Sequence, residues 1–291
     1  MREYTAVKGR CNRVIKYKKD NKNCRDSRNR RDSGNRRDSG NRRDNRYKTL
    51  DGIRGIAVIQ MVIFHFLYDI YIIYGYNRHW YGQWYIRLWQ QEICWTFILV
   101  AGAVWQYGRS NWKRGLLLNG CGILITLVTA VAVPTETVWF GILNFMGCAV
   151  WLMIPVKRLL RRMSPYVGIL VSFGLFWLTR QIESGYLGLG AWRILEIPKQ
   201  IYRIKIFTFL GFPFEGFSSS DYFPVFPWFF LFCTGYFLWE TLKSKKYDEV
   251  FRLHIPGADW FGRQSLPIYL LHQPVSMLIL AVIFLIFKKI V

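Results

Sequence analysis

From Ile53 onward the chain returns again and again to apolar runs long enough to cross a hydrocarbon layer, and little else a polypeptide can do accommodates that pattern. About 20 consecutive apolar residues span the membrane as a helix, and a bilayer forces every backbone polar group to be satisfied within the helix itself. Read with that rule, the sequence predicts helices near 53–75, 87–107, 115–133, 138–156, 165–180, 222–241 and 265–287. The segment 201–217 is also apolar but is broken by Arg203, Lys205, Gly211 and Pro213, which predicts an interfacial or re-entrant piece. The expected fold class is therefore all-α: a polytopic integral membrane helical bundle of seven to eight transmembrane helices over 49–291.

Residues 1–48 are the opposite kind of chain. They carry a net +12 of the total +22, and they repeat Asn29-Arg-Arg-Asp-Ser-Gly34, Asn35-Arg-Arg-Asp-Ser-Gly40 and Asn41-Arg-Arg-Asp44. With no apolar face to bury, such a segment cannot repay the entropy of ordering, which predicts a disordered basic tail. It has no apolar stretch of the signal-peptide kind. An overall charge of +22 taken alone would suggest nucleic acid, but its concentration in one leader speaks against a specific nucleic-acid partner.

The remaining basic residues fall into alternate connections: Arg109, Lys113 and Arg114; then Lys157, Arg158, Arg161 and Arg162; then Lys243, Lys245, Lys246 and Arg252. The stretch 134–137 on the other side has none. By the positive-inside rule the N-terminus is expected in the cytoplasm and the protein in a plasma membrane, among membrane lipids. The connection 181–221 is the exception, since it carries Arg193, Lys199, Arg203 and Lys205 on the nominally outer side. Six cysteines form no CxxC pair and no metal-ligand spacing, so no metal and no bound cofactor is expected.

Ionisable groups inside apolar helices are costly and mark functional candidates. The first helix has His65 and Asp69 at i and i+4, on one face. That spacing suits a carboxylate orienting an imidazole that then acts as base, or else a polar lock between two helices. Asp51 and Arg54, at i and i+3 on the membrane boundary, read either as a snorkelling pair or as a clamp for a phosphorylated donor. In the last helix His272 and Gln273 precede Pro274, which withdraws a backbone donor from the helix. Gln273 is expected about 100° around the helix from His272. Asp221, Tyr222 and Trp228, in a stretch with two prolines, suit a helix entry whose aromatics stack on sugar rings or form an interfacial belt. Asn144 reads as an interhelical amide.

Several strings carry a resemblance. Leu50-Asp-Gly-Ile-Arg-Gly-Ile-Ala-Val-Ile-Gln-Met-Val-Ile-Phe-His65 resembles the opening helix of the heparan-alpha-glucosaminide N-acetyltransferase-like family of bacterial membrane proteins. It also resembles the Arg…His first helix of the wider transmembrane acyltransferases. Trp89–Gly102, Phe140–Gly147, Asp221–Trp228 and Gly262–Pro274 follow in the same order, so the resemblance covers about 46–287. It implies an acetyl group taken from acetyl-CoA as substrate on the cytoplasmic side and passed to an amine or hydroxyl of a sugar or glycan acceptor. On that analogy His65 is the base or acyl-accepting nucleophile, Arg54 with Asp51 contacts the donor, and His272 is a second polar group of the site. The family often has a histidine where this chain has Asn144. The lysosomal enzyme's proposed catalytic histidine lies after the first helix, where His79 is the nearest equivalent. A rival class, a transporter or flippase of a glycan or lipid intermediate, would use the same polar groups without acyl transfer.

Overall fold

In the computed structural model the described residues are 47–77, 79–247, 251, 253 and 255–290, with side chains through Ile286. Of the basic tail 1–48, for which disorder is expected, 1–46 lie outside them, while Lys48 is already helical.

A helix stands at each of the seven expected positions. They are α1 (Lys48–Tyr68), α2 (Trp84–Val104), α3 (Asn111–Ala132), α4 (Ile142–Leu160), α5 (Pro165–Thr179), α6 (Val225–Ser244) and, after a short α7 (Ala258–Arg263), α8 (Ser265–Ile290). Five of them, α1 with its continuation to Ile73, α3, α4, α6 and α8 as far as Ile286, are long and apolar enough to cross a membrane. Two of the expected crossings fall short of that measure. α5 has 15 residues, fewer than the ~20 a bilayer needs. α2 has the length but carries Gln90, Gln91 and Glu92 in its middle.

The all-helical expectation also needs a correction. Tyr186–Leu189 and Trp192–Glu196 form an antiparallel hairpin, β1 and β2, with an irregular register at Leu187/Gly188. Its turn needs φ near +60° at Gly190, a conformation that glycine adopts without a Cβ penalty. The following segment makes two short 3₁₀ turns, Ile201–Arg203 and Lys205–Leu210, and no long helix.

α1 packs on α2, α7 and α8; α3 pairs with α4; and α6 lies against both α2 and α5. These contacts are close because small residues line them. A Cβ on Gly55 would stand 1.8 Å from the Ala258 carbonyl, and one on Gly262 would stand 1.8 Å from the Asp51 carbonyl, so α1 and α7 touch backbone to backbone. Gly102 and Gly235 do the same for α2 and α6. Where helices cannot rely on water to drive them together, such small-residue contact is a main source of association. Polar groups add to it, as in the 2.9 Å bond between Ser172 of α5 and Thr234 of α6. Asn144 departs from the amide expectation: it packs against Gly122 of α3, and its buried Oδ1 has no hydrogen-bond partner.

Candidate functional site

The site is built where α1 meets α8. At Asp69 the α1 backbone widens into a π-helix, Asp69–Ile73, closed by the Tyr74 N–H donating to the Asp69 carbonyl at 2.9 Å. Single π turns of this kind recur at functional sites. Asp69 is fully buried. Its Oδ1 accepts a 2.6 Å hydrogen bond from Gln273 Nε2 of α8, and the Ser276 hydroxyl faces the same carboxyl.

One turn earlier on α1, the His65 ring lies 4.9 Å, centroid to centroid, from the His272 ring of α8, with the planes inclined at 57°. His272 Nδ1 is 2.8 Å from the Tyr269 carbonyl in its own helix. A carbonyl only accepts, so Nδ1 carries the proton, and Nε2 of the neutral ring presents its lone pair. That Nε2, Asp69 Oδ2 and Gln273 Oε1 are all buried and all without a hydrogen-bond partner. Native interiors satisfy most buried polar atoms, so three unsatisfied atoms within two adjoining residue pairs single out this spot.

Two expectations change here. Asp69 does not orient His65: the carboxyl is engaged by Gln273 across the helix interface, and a backbone carbonyl orients His272 instead. Gln273, about 100° around the helix from His272, is a member of the cluster. The turn that carries it away from His272 brings it to Asp69, because α1 presents two polar groups a full turn apart. The sequence signal that could have found it is the amide beside His272 in an otherwise apolar helix.

The other candidates separate into two places. Toward the start of α1, Arg54 and Asp51 form the expected i, i+3 ion pair at 3.7 Å, with both side chains largely buried. Eleven residues of helix separate Arg54 from His65, about 16 Å along the axis. Away from that end, Asp221 Oδ2 accepts from the Ile142 N–H at 3.2 Å and from the Tyr269 hydroxyl at 3.3 Å. It thus satisfies a free donor at the start of α4 and tethers the residue whose carbonyl holds His272. Burial pushes the Asp221 carboxyl above the usual carboxylate range. The Tyr222 hydroxyl donates to the Thr208 carbonyl, and burial pushes its phenol up as well.

Trp228 differs from the sugar-stacking expectation. It is 8% exposed, packed against Phe176 and Phe223, with the Arg180 guanidinium 5.9 Å from its ring centre. A tryptophan at a helix entry has the same sequence signature whether it faces outward or inward. His79 is exposed in the turn before α2, and the next residue, Trp80, covers Phe64 at 5.8 Å. Among the described residues, no group of three or more His, Cys, Asp or Glu side chains is arranged to hold a metal ion.

Residues 46–274 match the model of the family described as heparan-alpha-glucosaminide N-acetyltransferase, catalytic. The chain belongs to this family. The match takes in the ion pair at the start of α1, the imidazole pair and Gln273 together. Neither a curated protein nor a solved structure matches the chain. The family is one of acetyltransferases that act on sugar acceptors, and five apolar helices make this member a membrane protein.

Proposed function

We propose that the chain transfers an acetyl group from acetyl-CoA, bound at the cytoplasmic side near Arg54 and Asp51, to an amine or hydroxyl of a sugar or glycan at the other face. The observation that carries this reading is the His65–His272 pair, two imidazoles 4.9 Å apart from separate helices, beside buried polar atoms with no partner. In this reading α2 and α5 also cross the bilayer, giving seven crossings, with the N-terminus in the cytoplasm of a bacterial cell. The ~16 Å rise from Arg54 to His65 suits a long donor whose phosphates stay near water while its thioester reaches the imidazoles.

His272 Nε2, its tautomer fixed by the Tyr269 carbonyl and its lone pair free, is placed to accept a hydrogen bond from one His65 nitrogen when substrate binds, which leaves the other with a lone pair. This is the orienter-and-base logic of acyl transfer. As the acceptor nitrogen or oxygen bonds to the thioester carbonyl carbon, its proton moves to His65. The C–S bond then breaks with its electron pair on sulfur, and the imidazolium returns the proton to give the free thiol. Alternatively His65 carries the acetyl group itself before handing it on. Asp69 and Gln273 hold the two helices in register, and His79 stands at the acceptor side.

The test is transfer of labelled acetyl from acetyl-CoA to glucosamine by the purified chain. His65→Ala is expected to lower the rate about 10²–10⁴-fold, the range for a general base, with an unchanged melting curve. Undiminished transfer in that variant rejects His65. A wild-type protein that binds no acetyl-CoA rejects acyl transfer altogether and favours a transporter.

A further inference from the structure

Away from the imidazoles, the C-terminal ends of α2, α4 and α6 line an open cavity of about 350 Å³. Its lining combines the apolar Leu160, Met163 and Phe237 with the polar Gln106, Arg161, Tyr236, Glu240 and Lys243. Its charges do not balance. Glu240 Oε1 is already engaged, receiving Gln106 Nε2 at 2.9 Å and Lys243 Nζ at 3.3 Å. Lys157 adds a second cation, its Nζ 5.0 Å from the centre of the Trp105 ring and close enough to feel both Glu240 and Lys243. Arg161 adds a third, with no carboxylate partner among the described residues and its guanidinium beside the Tyr236 hydroxyl. Three cations thus surround one carboxylate, and the guanidinium of Arg161 faces the Tyr236 hydroxyl rather than a carboxylate.

Next to this lining in sequence, α4 and α5 carry exposed apolar residues: Leu159, Tyr166 and Val167 are 62%, 56% and 50% exposed. A soluble anion has no use for such residues, whereas an acyl chain does. Basic pockets between membrane helices on the cytoplasmic side suit anionic headgroups, and a guanidinium matches a phosphate in both charge and geometry.

We infer that this cavity seats the phosphate of an anionic phospholipid, held by Arg161 with Lys157 and Lys243, its chains lying over the exposed apolar residues of α4 and α5. The inference concerns a separate cavity; it rests on the cytoplasmic placement of these helix ends in the reading above, and not on acyl transfer.

The experiment titrates the purified full chain in detergent with dioctanoyl phosphatidylglycerol and follows tryptophan fluorescence, Trp105 standing under Lys157. Saturable binding is expected, on the order of fivefold weaker for each cation removed, in both Arg161→Gln and Lys157→Gln, and restored in Arg161→Lys. Should Arg161→Gln fail to fold, Lys157→Gln carries the comparison. Dioctanoyl phosphatidylcholine, which has no net charge, is expected to bind more weakly. Inorganic phosphate and CoA are the soluble arms: if either binds as tightly as phosphatidylglycerol with the same dependence on Arg161, the phosphate comes from a soluble ligand and the lipid assignment falls. Equal phosphatidylglycerol binding by wild type and by Lys157→Gln/Arg161→Gln also overturns it.

Discussion

Replacing Gln273 by Met removes the 2.6 Å hydrogen bond to Asp69 while keeping the length of the side chain. The carboxyl is fully buried and its second oxygen makes no hydrogen bond within the protein, so loss of the amide strands a buried polar group. Stranding a buried polar group costs about 1–3 kcal/mol, and more when the group is charged. Taking 2 kcal/mol, a domain of this size should lose about 4–8 °C in Tm, at 2–4 °C per kcal/mol. Asp69→Leu alone strands the amide instead and should also destabilise. The double variant Asp69→Leu/Gln273→Met removes both polar groups, which can be nearly neutral, so the two losses should fail to add by at least about 2 kcal/mol, the upper part of the range for residues in contact. The assay is thermal unfolding of the purified chain in detergent at one scan rate, followed by tryptophan fluorescence. If Gln273→Met shifts Tm by no more than a surface substitution, or if the single effects simply add, the α1–α8 polar contact is not what holds His65 against His272.

Other outcomes follow from the same geometry. Arg54→Gln should raise the KM for acetyl-CoA about tenfold or more with little change in kcat, the loss of a hydrogen bond from a charged group being about 1.5–3 kcal/mol; initial-rate kinetics against donor concentration check it. Gly55→Ala places a methyl 1.8 Å from the Ala258 carbonyl, and since backbone cannot yield as a side chain does, the cost should reach the upper part of the ~1–3 kcal/mol for overpacking, seen as a lower Tm. Asp221 has a carboxyl pushed up by burial. A raised folded-state pKa favours the folded chain at low pH, and that contribution is lost as pH rises from the usual aspartate value through the elevated one. Wild-type Tm should therefore fall over that window relative to Asp221→Asn, which cannot ionise; parallel Tm profiles of the two proteins would remove Asp221 as the cause.

How far the site was legible depended on whether its parts lie on one helix. The Arg54–Asp51 pair follows from i, i+3 spacing, and the structure has it at 3.7 Å. His65 and Asp69 share a face by the same arithmetic, but that arithmetic says nothing about which group on another helix reaches them first. Gln273 reaches Asp69, and His272 faces His65, because α8 lies against α1, a relation set by side chains spread over both surfaces. Trp228 shows the same limit from the other side: its position at a helix entry was readable, and its burial against Phe176 was not.

The sequence by itself determined that this chain is a membrane helical protein, where seven of its helices lie, and which family it resembles. Those properties depend on composition within windows of about 20 residues and on local spacing, which the bilayer and the helix repeat translate directly into structure. Only the tertiary structure decided the partners of the ionisable groups, the hairpin after α5 and the basic cavity at the ends of α2, α4 and α6. Each of these depends on residues from separate helices meeting, as Lys157 and Arg161 meet Lys243. Helix contact in a bilayer turns on close packing rather than on hydrophobicity, and packing is a property of two surfaces that no single window of sequence contains.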